Sequence, residues 1–195
     1  LPADELVSHT VSVREDGDAR VYRHVVDVPE TLADLPRIGV MFRASARFDR
    51  VRWCGRGPHE NYPDRAASAM VGTWEGTIDE LPYVVPQEFG LRTDCGWFEL
   101  VDSTSGEVLA IDAVRPASLH VSATHHLPGD LFAAATVPEL RRRDDVVICV
   151  DVAHRGLGTA SCGPDVLPRY RIAPGRYEFS YRLSLRHGSL VVGAG

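Results

Sequence analysis

An antiparallel β-sandwich or β-barrel is the fold class that this sequence predicts, on three observations. Apolar and polar residues alternate with period two along most of the chain, turns containing Gly and Pro separate the alternating runs, and no long helical repeat intervenes. Successive side chains of a strand point to opposite faces, so each alternating run has one buried face and one wet face. At 195 residues the chain is long enough for a single domain with a sizeable core.

Alternation first marks Val11 to Arg14 and Arg20 to Val28, separated by the turn Glu15-Asp16-Gly17-Asp18. Ile38 to Ala44 and Val51 to Cys54 come next, followed by Gly96 to Asp102 and Val108 to Val114 with Ser103 to Gly106 as the turn between them. Leu119 to Ser122 and the strongly apolar run Val146 to Val152 continue the pattern. Pro128-Gly129-Asp130 predicts another turn, and Asp130 is placed to cap one short helix over Leu131-Phe132-Ala133-Ala134-Ala135. The clearest strand carries Tyr177, Phe179, Tyr181, Leu183 and Leu185 on one face, introduced by Ala173-Pro174-Gly175. Its aromatic residues read as core. Gly188 to Gly195 loses the alternation and is expected to fray, which divides the chain into a domain over 1–187 and a tail over 188–195.

Apolar residues make up 44% of the chain and charged residues 25%, the balance of an ordinary soluble globular protein. A net charge of -6 gives no basic footprint, which argues against nucleic acid or an anionic membrane surface as a partner. The run Arg141-Arg142-Arg143 is followed at once by Asp144 and Asp145 and reads as a solvated turn. No apolar run approaches the ~20 residues that span a bilayer, and the start of the chain lacks the basic and apolar regions of a signal peptide. Cytoplasmic localisation follows as the expectation. The four cysteines, Cys54, Cys95, Cys149 and Cys162, have no CxxC pair and no zinc-type spacing, so reduced thiols and no metal site are expected. The chain opens without methionine, which suggests a piece of something longer. All 21 basic residues are arginine and Asn61 and Gln87 are the only side-chain amides, a pattern of GC-rich bacterial coding.

Two stretches concentrate polar chemistry. In the first, Trp53 to Arg65, four Gly and Pro residues order a loop that carries Trp53, His59, Glu60, Asn61, Asp64 and Arg65. An aromatic face beside planar polar groups is the chemistry of a sugar site. The same residues also describe a bracing loop, the simpler reading, in which Asp64 pairs with Arg65 and Asn61 bonds backbone. The second stretch runs from His154 to Asp165. Gly156 and Gly158 superficially suit a dinucleotide loop, but no helix or βαβ unit follows. Ser161 and Cys162 lie near His154 in sequence with no acid placed to orient the base, so a packed thiol is the simpler reading. His125 and His126 are adjacent, would point to opposite faces of a strand and cannot share one metal, so they read as surface or cap residues.

These two stretches also carry a resemblance. VRWCGRGPHENYPDR, LPYVVPQEFGLRTDCGWFEL, LFAAATVPEL and VDVAHRGLGTASCGPDVLPRYRIAPGRYEFSYRL occur in the order found in the C-terminal domain of large bacterial β-galactosidases of glycoside hydrolase family two. The likeness spans roughly Arg37 to Leu185, while over Leu1 to Pro36 only the strand pattern supports it. It implies a "supersandwich" similar to galactose mutarotase, incomplete at its N-terminus because the family's domain begins further upstream. It also implies a catalytic (β/α)8 barrel as the partner, a carbohydrate substrate and a homo-oligomer. A retaining glycosidase needs two carboxyls about 5–5.5 Å apart, and neither of the family's glutamate motifs is present. By resemblance, then, this chain holds no catalytic residue, and Glu60 and Glu88 are structural. No cofactor belongs to it either, since magnesium or sodium used by the parent enzyme would sit in the catalytic domain. The family's loop at the leaving-group (aglycone) subsite corresponds to Thr159 to Pro164, with Ser161, Cys162 and Gly163 as the candidate contacts. Some relatives place tryptophan where this chain has Cys162. The role implied is a non-catalytic domain that supports the barrel and shapes that subsite. A stand-alone carbohydrate-binding module and a mutarotase-like aldose epimerase are the alternatives.

Overall fold

The computed structural model describes residues 6–78, 83, 85–158 and 163–187. Among these, eleven strands form two antiparallel sheets. The strands are β1 (Ser8–Asp16), β2 (Ala19–Val28), β3 (Arg37–Ser45), β4 (Arg50–Gly57), β5 (Met70–Thr77) and β6 (Arg92–Cys95). They continue with β7 (Trp97–Val101), β8 (Glu107–Arg115), β9 (Leu119–Thr124), β10 (Asp145–His154) and β11 (Gly175–His187). The larger sheet has the order β1-β2-β11-β8-β7-β4-β5 and the smaller β3-β10-β9-β6. Of the sandwich and the barrel that the alternation left open, the sandwich that the resemblance implied is therefore present. Gly188 to Gly195, expected to fray, lies outside the described residues.

Alternation decides which side chains fill the space between the sheets. From the smaller sheet come Ile38, Leu119, Val121, Val146, Ile148 and Val150; from the larger come Val51, Trp53, Phe98, Leu100, Ile111, Phe179 and Tyr181. Val146, Ile148, Val150, Leu100 and Phe179 are fully buried, each contributing about 1.5–3 kcal/mol relative to exposure. Phe42 of β3 stacks against Tyr181 of β11, so that edge of the small sheet lies under the middle of the large one. Near the other edge β4 and β6 pack closely: a Cβ on Gly55 would sit 3.0 Å from the Cys95 sulfur. The chain crosses between the sheets at Gly96, whose N–H donates to the Cys54 carbonyl at 2.8 Å.

Seven strands cannot be covered by four. Beyond Phe42 nothing among the described residues lies opposite β1, and Val11 and Val13 are 47% and 53% exposed on the face that elsewhere forms the core. The free edges of β1 and β3 lie on this same uncovered side, so the sandwich is open along one flank.

The structure corrects several element boundaries. β5 was not expected, because its sequence mixes glycines into a strand exposed on most positions. The run expected as one strand over Gly96 to Asp102 is β7 alone, with the short β6 just before it on the other sheet. The helix, α1, spans Pro128–Ala133, so Pro128-Gly129-Asp130 forms its first turn instead of a separate turn. Proline is pre-set for that position. Asp130 consequently caps the helix from its third position and not as the N-cap residue, which is Leu127. It sits inside the first turn, and its carboxylate reaches back to the Leu127 N–H at 2.8 Å and pairs with Arg143 at 2.5 Å. That pair draws the last arginine of the 141–143 run out of the purely solvated role expected for it. His125 also departs from expectation. It is 3% exposed, and its ring nitrogens contact the Asp145 carbonyl and the Arg142 guanidinium at 2.9 Å each. The residue follows β9 and turns inward.

Candidate functional site

At one end of the sandwich three connections meet: residues 58–65 after β4, residues 85–90 before β6, and residues 155–171 after β10. The first is built from within. Trp53 in the middle of β4 is 1% exposed, donates its indole N–H to the Arg56 carbonyl at 2.9 Å and lies under the Arg92 guanidinium. Buried in this way, it suits the bracing alternative more than the sugar-stacking one. Asn61, also buried, donates to the Arg56 and His59 carbonyls at 3.1 and 3.0 Å and accepts the Thr93 N–H at 3.1 Å. His59 remains exposed beside Ser68. Glu60 accepts the Gly90 N–H at 2.7 Å and the Tyr83 hydroxyl, and lies 3.6 Å from Arg65. Arg65 also covers the ring of Tyr62.

The expected Asp64–Arg65 pair is replaced by a longer-range contact. Tyr62-Pro63-Asp64-Arg65 is a turn closed by the Arg65 N–H on the Tyr62 carbonyl at 2.8 Å, with proline at its preferred second position. The turn aims Asp64 at the third connection. One carboxylate oxygen accepts the Leu157 N–H at 3.1 Å and the other the Gly158 N–H at 2.7 Å. The far side of that connection is held by Arg155, which pairs with Asp34 at 2.7 Å and with Asp165 at 2.8 Å. Arg171 reaches the same Asp165 at 3.0 Å. Hydrogen bonding to Arg155 holds the carboxyls of Asp34 and Asp165 below their ordinary range. The segment between the two braced sides contains Ser161 and Cys162, which lie outside the described residues; Gly163, at the return, is exposed.

Beneath the connections lies a compact polar layer. Arg37 grips the buried Asp151 with two of its nitrogens. Glu88 sits 3.9 Å from Arg37 and 3.8 Å from the ring of His154, and Tyr62 packs edge-on against that ring. Burial raises the pKa of the Tyr62 hydroxyl, with the Glu88 and Glu60 charges adding to the effect. Burial also lowers His120, beside this layer, to about 4. An epimerase would need a histidine and a carboxylate facing each other across a cleft. His154 and Glu88 nearly touch, and His154 is only 8% exposed, so no sugar ring fits between them. Among the described residues no group of three or more His, Cys, Asp or Glu side chains is placed to hold a metal.

A two-sheet antiparallel sandwich with a braced loop cluster at one end is the class of domain that fold and site define. Comparison with known proteins places it further: the family described as "Beta galactosidase small chain" matches residues 3–183, and the chain belongs to that family. A β-galactosidase from Vibrio cholerae serotype O1 is 35% identical over 174 residues, which is 87% of this chain and 16% of the relative. A β-galactosidase from Arthrobacter sp. strain B7 is 34% identical over 178 residues, 85% of this chain and 17% of the relative. The chain thus corresponds to a small part of these enzymes. Among solved structures, a protein from Escherichia coli K12 assigned as an aldose 1-epimerase aligns with 94% of this chain and 62% of its own, at 14% identity and a TM-score of 0.42.

Proposed function

We propose that this chain is a non-catalytic domain of a retaining β-galactosidase, supporting a catalytic barrel and shaping the subsite that receives the leaving group. The observation that carries this reading is the double bracing of the third connection. Asp64 fastens one side and the Arg155 ion pairs the other, so residues 159–162, which hold Ser161 and Cys162, spring from a fixed stem. Such bracing is what a loop needs if it is to present side chains to a neighbouring active site. Glu60 and Glu88 are engaged with neighbouring groups, which suits structural duty. The uncovered flank suits contact with the rest of a larger protein or with a second copy, and free Cys54, Cys95 and Cys149 suit the cytoplasm.

The test uses a full-length enzyme carrying this domain. Replacing Cys162→Trp adds an aromatic face at the subsite, worth on the order of 1 kcal/mol by analogy with aromatic pairing. Free glucose should then inhibit several-fold more strongly, and transglycosylation should rise relative to hydrolysis. Arg141→Ala, on a distant exposed segment, should move neither. Unchanged acceptor affinity in a folded Cys162→Trp enzyme refutes the subsite role. The chain alone should leave a chromogenic β-galactoside intact; turnover abolished by Glu60→Gln or Glu88→Gln would place catalysis here and overturn the reading.

A further inference from the structure

We infer that the free edge of β1 is a homodimer interface, on which β1 of a second copy of this chain pairs antiparallel with Ser12 opposite Ser12. The inference is independent of the leaving-group reading and starts from where the backbone of β1 points. A two-residue turn, Gly17-Asp18, joins β1 to β2, and Gly17 has φ of +63°, the hairpin geometry that places glycine first. The pair flanking such a turn, Asp16 with Ala19, is hydrogen-bonded, and bonded and non-bonded pairs alternate from there. Arg14, Ser12, Thr10 and Ser8 therefore turn their backbone groups to β2. Glu15, Val13, Val11 and His9 turn theirs outward, where among the described residues no strand receives them.

A row of unpaired amides and carbonyls is a template for another strand, and the residues along this row select which. Two copies of Ser8–Asp16 overlap along their whole length only when Ser12 faces Ser12. That register sets Val11 against Val13 and His9 against Glu15 on the face that elsewhere forms the core. On the opposite face it sets Thr10 against Arg14 and Ser8 against Asp16. No like charges oppose one another, and a carboxylate meets an imidazole. The smallest shift that keeps outward groups facing outward groups is two residues. It sets a valine against itself and moves Glu15 from His9 to Val7 or Val11. The strand is thus self-complementary about its own centre, as a two-fold contact between identical surfaces requires. Val11 and Val13, exposed in one copy, gain apolar neighbours from the other, and the larger sheet runs on from copy to copy.

The 195-residue chain is the material for the test. The two Ser12 residues form a non-hydrogen-bonded pair, with Cα atoms about 4.5 Å apart, within the span of a disulfide. Ser12→Cys should give a disulfide-linked dimer under mild oxidation, and the unsubstituted chain should not. Thr10→Cys and Arg14→Cys should each stay unlinked alone and link to one another when mixed. Val13→Pro removes an outward amide and none that binds β2, so the hairpin survives while the dissociation constant in sedimentation should rise about tenfold or more. The Val11 and Val13 amides should be protected from hydrogen exchange at high concentration and lose that protection on dilution. A Ser12→Cys chain that does not link, or a Thr10→Cys chain that links equally well alone, overturns the register. Association unchanged by Val13→Pro overturns the edge as its surface. A monomer with protected Val11 and Val13 amides would show another segment of the chain on the edge. A monomer in which they exchange freely would leave the edge to a strand of a larger protein, and either result overturns the second copy as its occupant.

Discussion

Replacing His24→Phe should make the domain more resistant to acid. His24 lies on β2, 4% exposed, with its ring stacked on Phe179 at 4.7 Å and Tyr181 at 5.6 Å between centroids. Its Nδ1 meets Nε2 of His9 on β1 at 3.0 Å, while its own Nε2 is buried without a hydrogen-bond partner among the described residues. Burial first, and the neighbouring His9 second, lower its pKa from 6.5 to about 4. A histidine with a lowered pKa takes up its proton more readily in the unfolded chain. Its contribution is therefore whole above pH 6.5, declines as pH falls, and is fully lost near pH 4. At 1.36 kcal/mol per pH unit, the loss already reached at pH 5 is about 2 kcal/mol. Water at the exposed β1 edge reduces this toward about 1 kcal/mol. Phenylalanine keeps the stack, gives up one hydrogen bond and removes one orphaned nitrogen, so the variants should agree within about 1 kcal/mol at pH 7.5. Urea unfolding at pH 7.5 and pH 5 checks this: the gap in favour of His24→Phe should widen by about 1–2 kcal/mol at the lower pH. The titration of His120 is common to both proteins and cancels. A gap that does not change with pH refutes the account of the His9–His24 stack.

Two further outcomes are expected. Thiol titration of the denatured, unreduced chain should find all four cysteines free; in the folded protein half-buried Cys54 should react well before Cys95 and Cys149, whose thiols burial pushes up to about 12 and 11. The open flank should drive self-association at micromolar concentration, seen as a dimer or larger species in sedimentation and reduced by Val11→Arg with Val13→Arg; a clean monomer over a wide concentration range would mean that the edges are sealed.

Most strands were legible because alternation is a local property. β2 and β11 match their expected runs closely, with Phe179 and Tyr181 in the core as their periodicity required. β5 was hidden because its neighbours, not its own pattern, hold it: it pairs with β4 along its length while most of its positions face solvent. β6 was hidden by its brevity and by the crossing at Gly96 directly after it. The candidate site divides along the same line. The bonding of Asn61 to the Arg56 and His59 carbonyls could be read from a short polar side chain in a Gly- and Pro-rich loop, because those partners are nearby. Asp64 bonds residues 93 and 94 positions away, and nothing local distinguishes that from a pairing with adjacent Arg65. The unexplained Gly156 and Gly158 were the available signal, since closely spaced glycines that open no helix imply that something else must approach the backbone there. His125 was misjudged because adjacency fixes two faces only within a strand, and it lies just beyond β9.

The crossing at Gly96 gives the sandwich a direction of growth. On that side β5 and β6 end their sheets, a short link joins β6 to β7, and Ile78 and Phe89 are buried nearby, so the core is closed there. On the other side β1 and β3 end their sheets with free backbone and a bare apolar face. Strands can be added or exchanged there without rerouting the chain. The braced connections grow from β4, β6 and β10, none of which is a border strand of that side. Remodelling of the open border, by evolution or by design, can therefore proceed while the geometry that Asp64 and Arg155 impose on the loop cluster stays as it is.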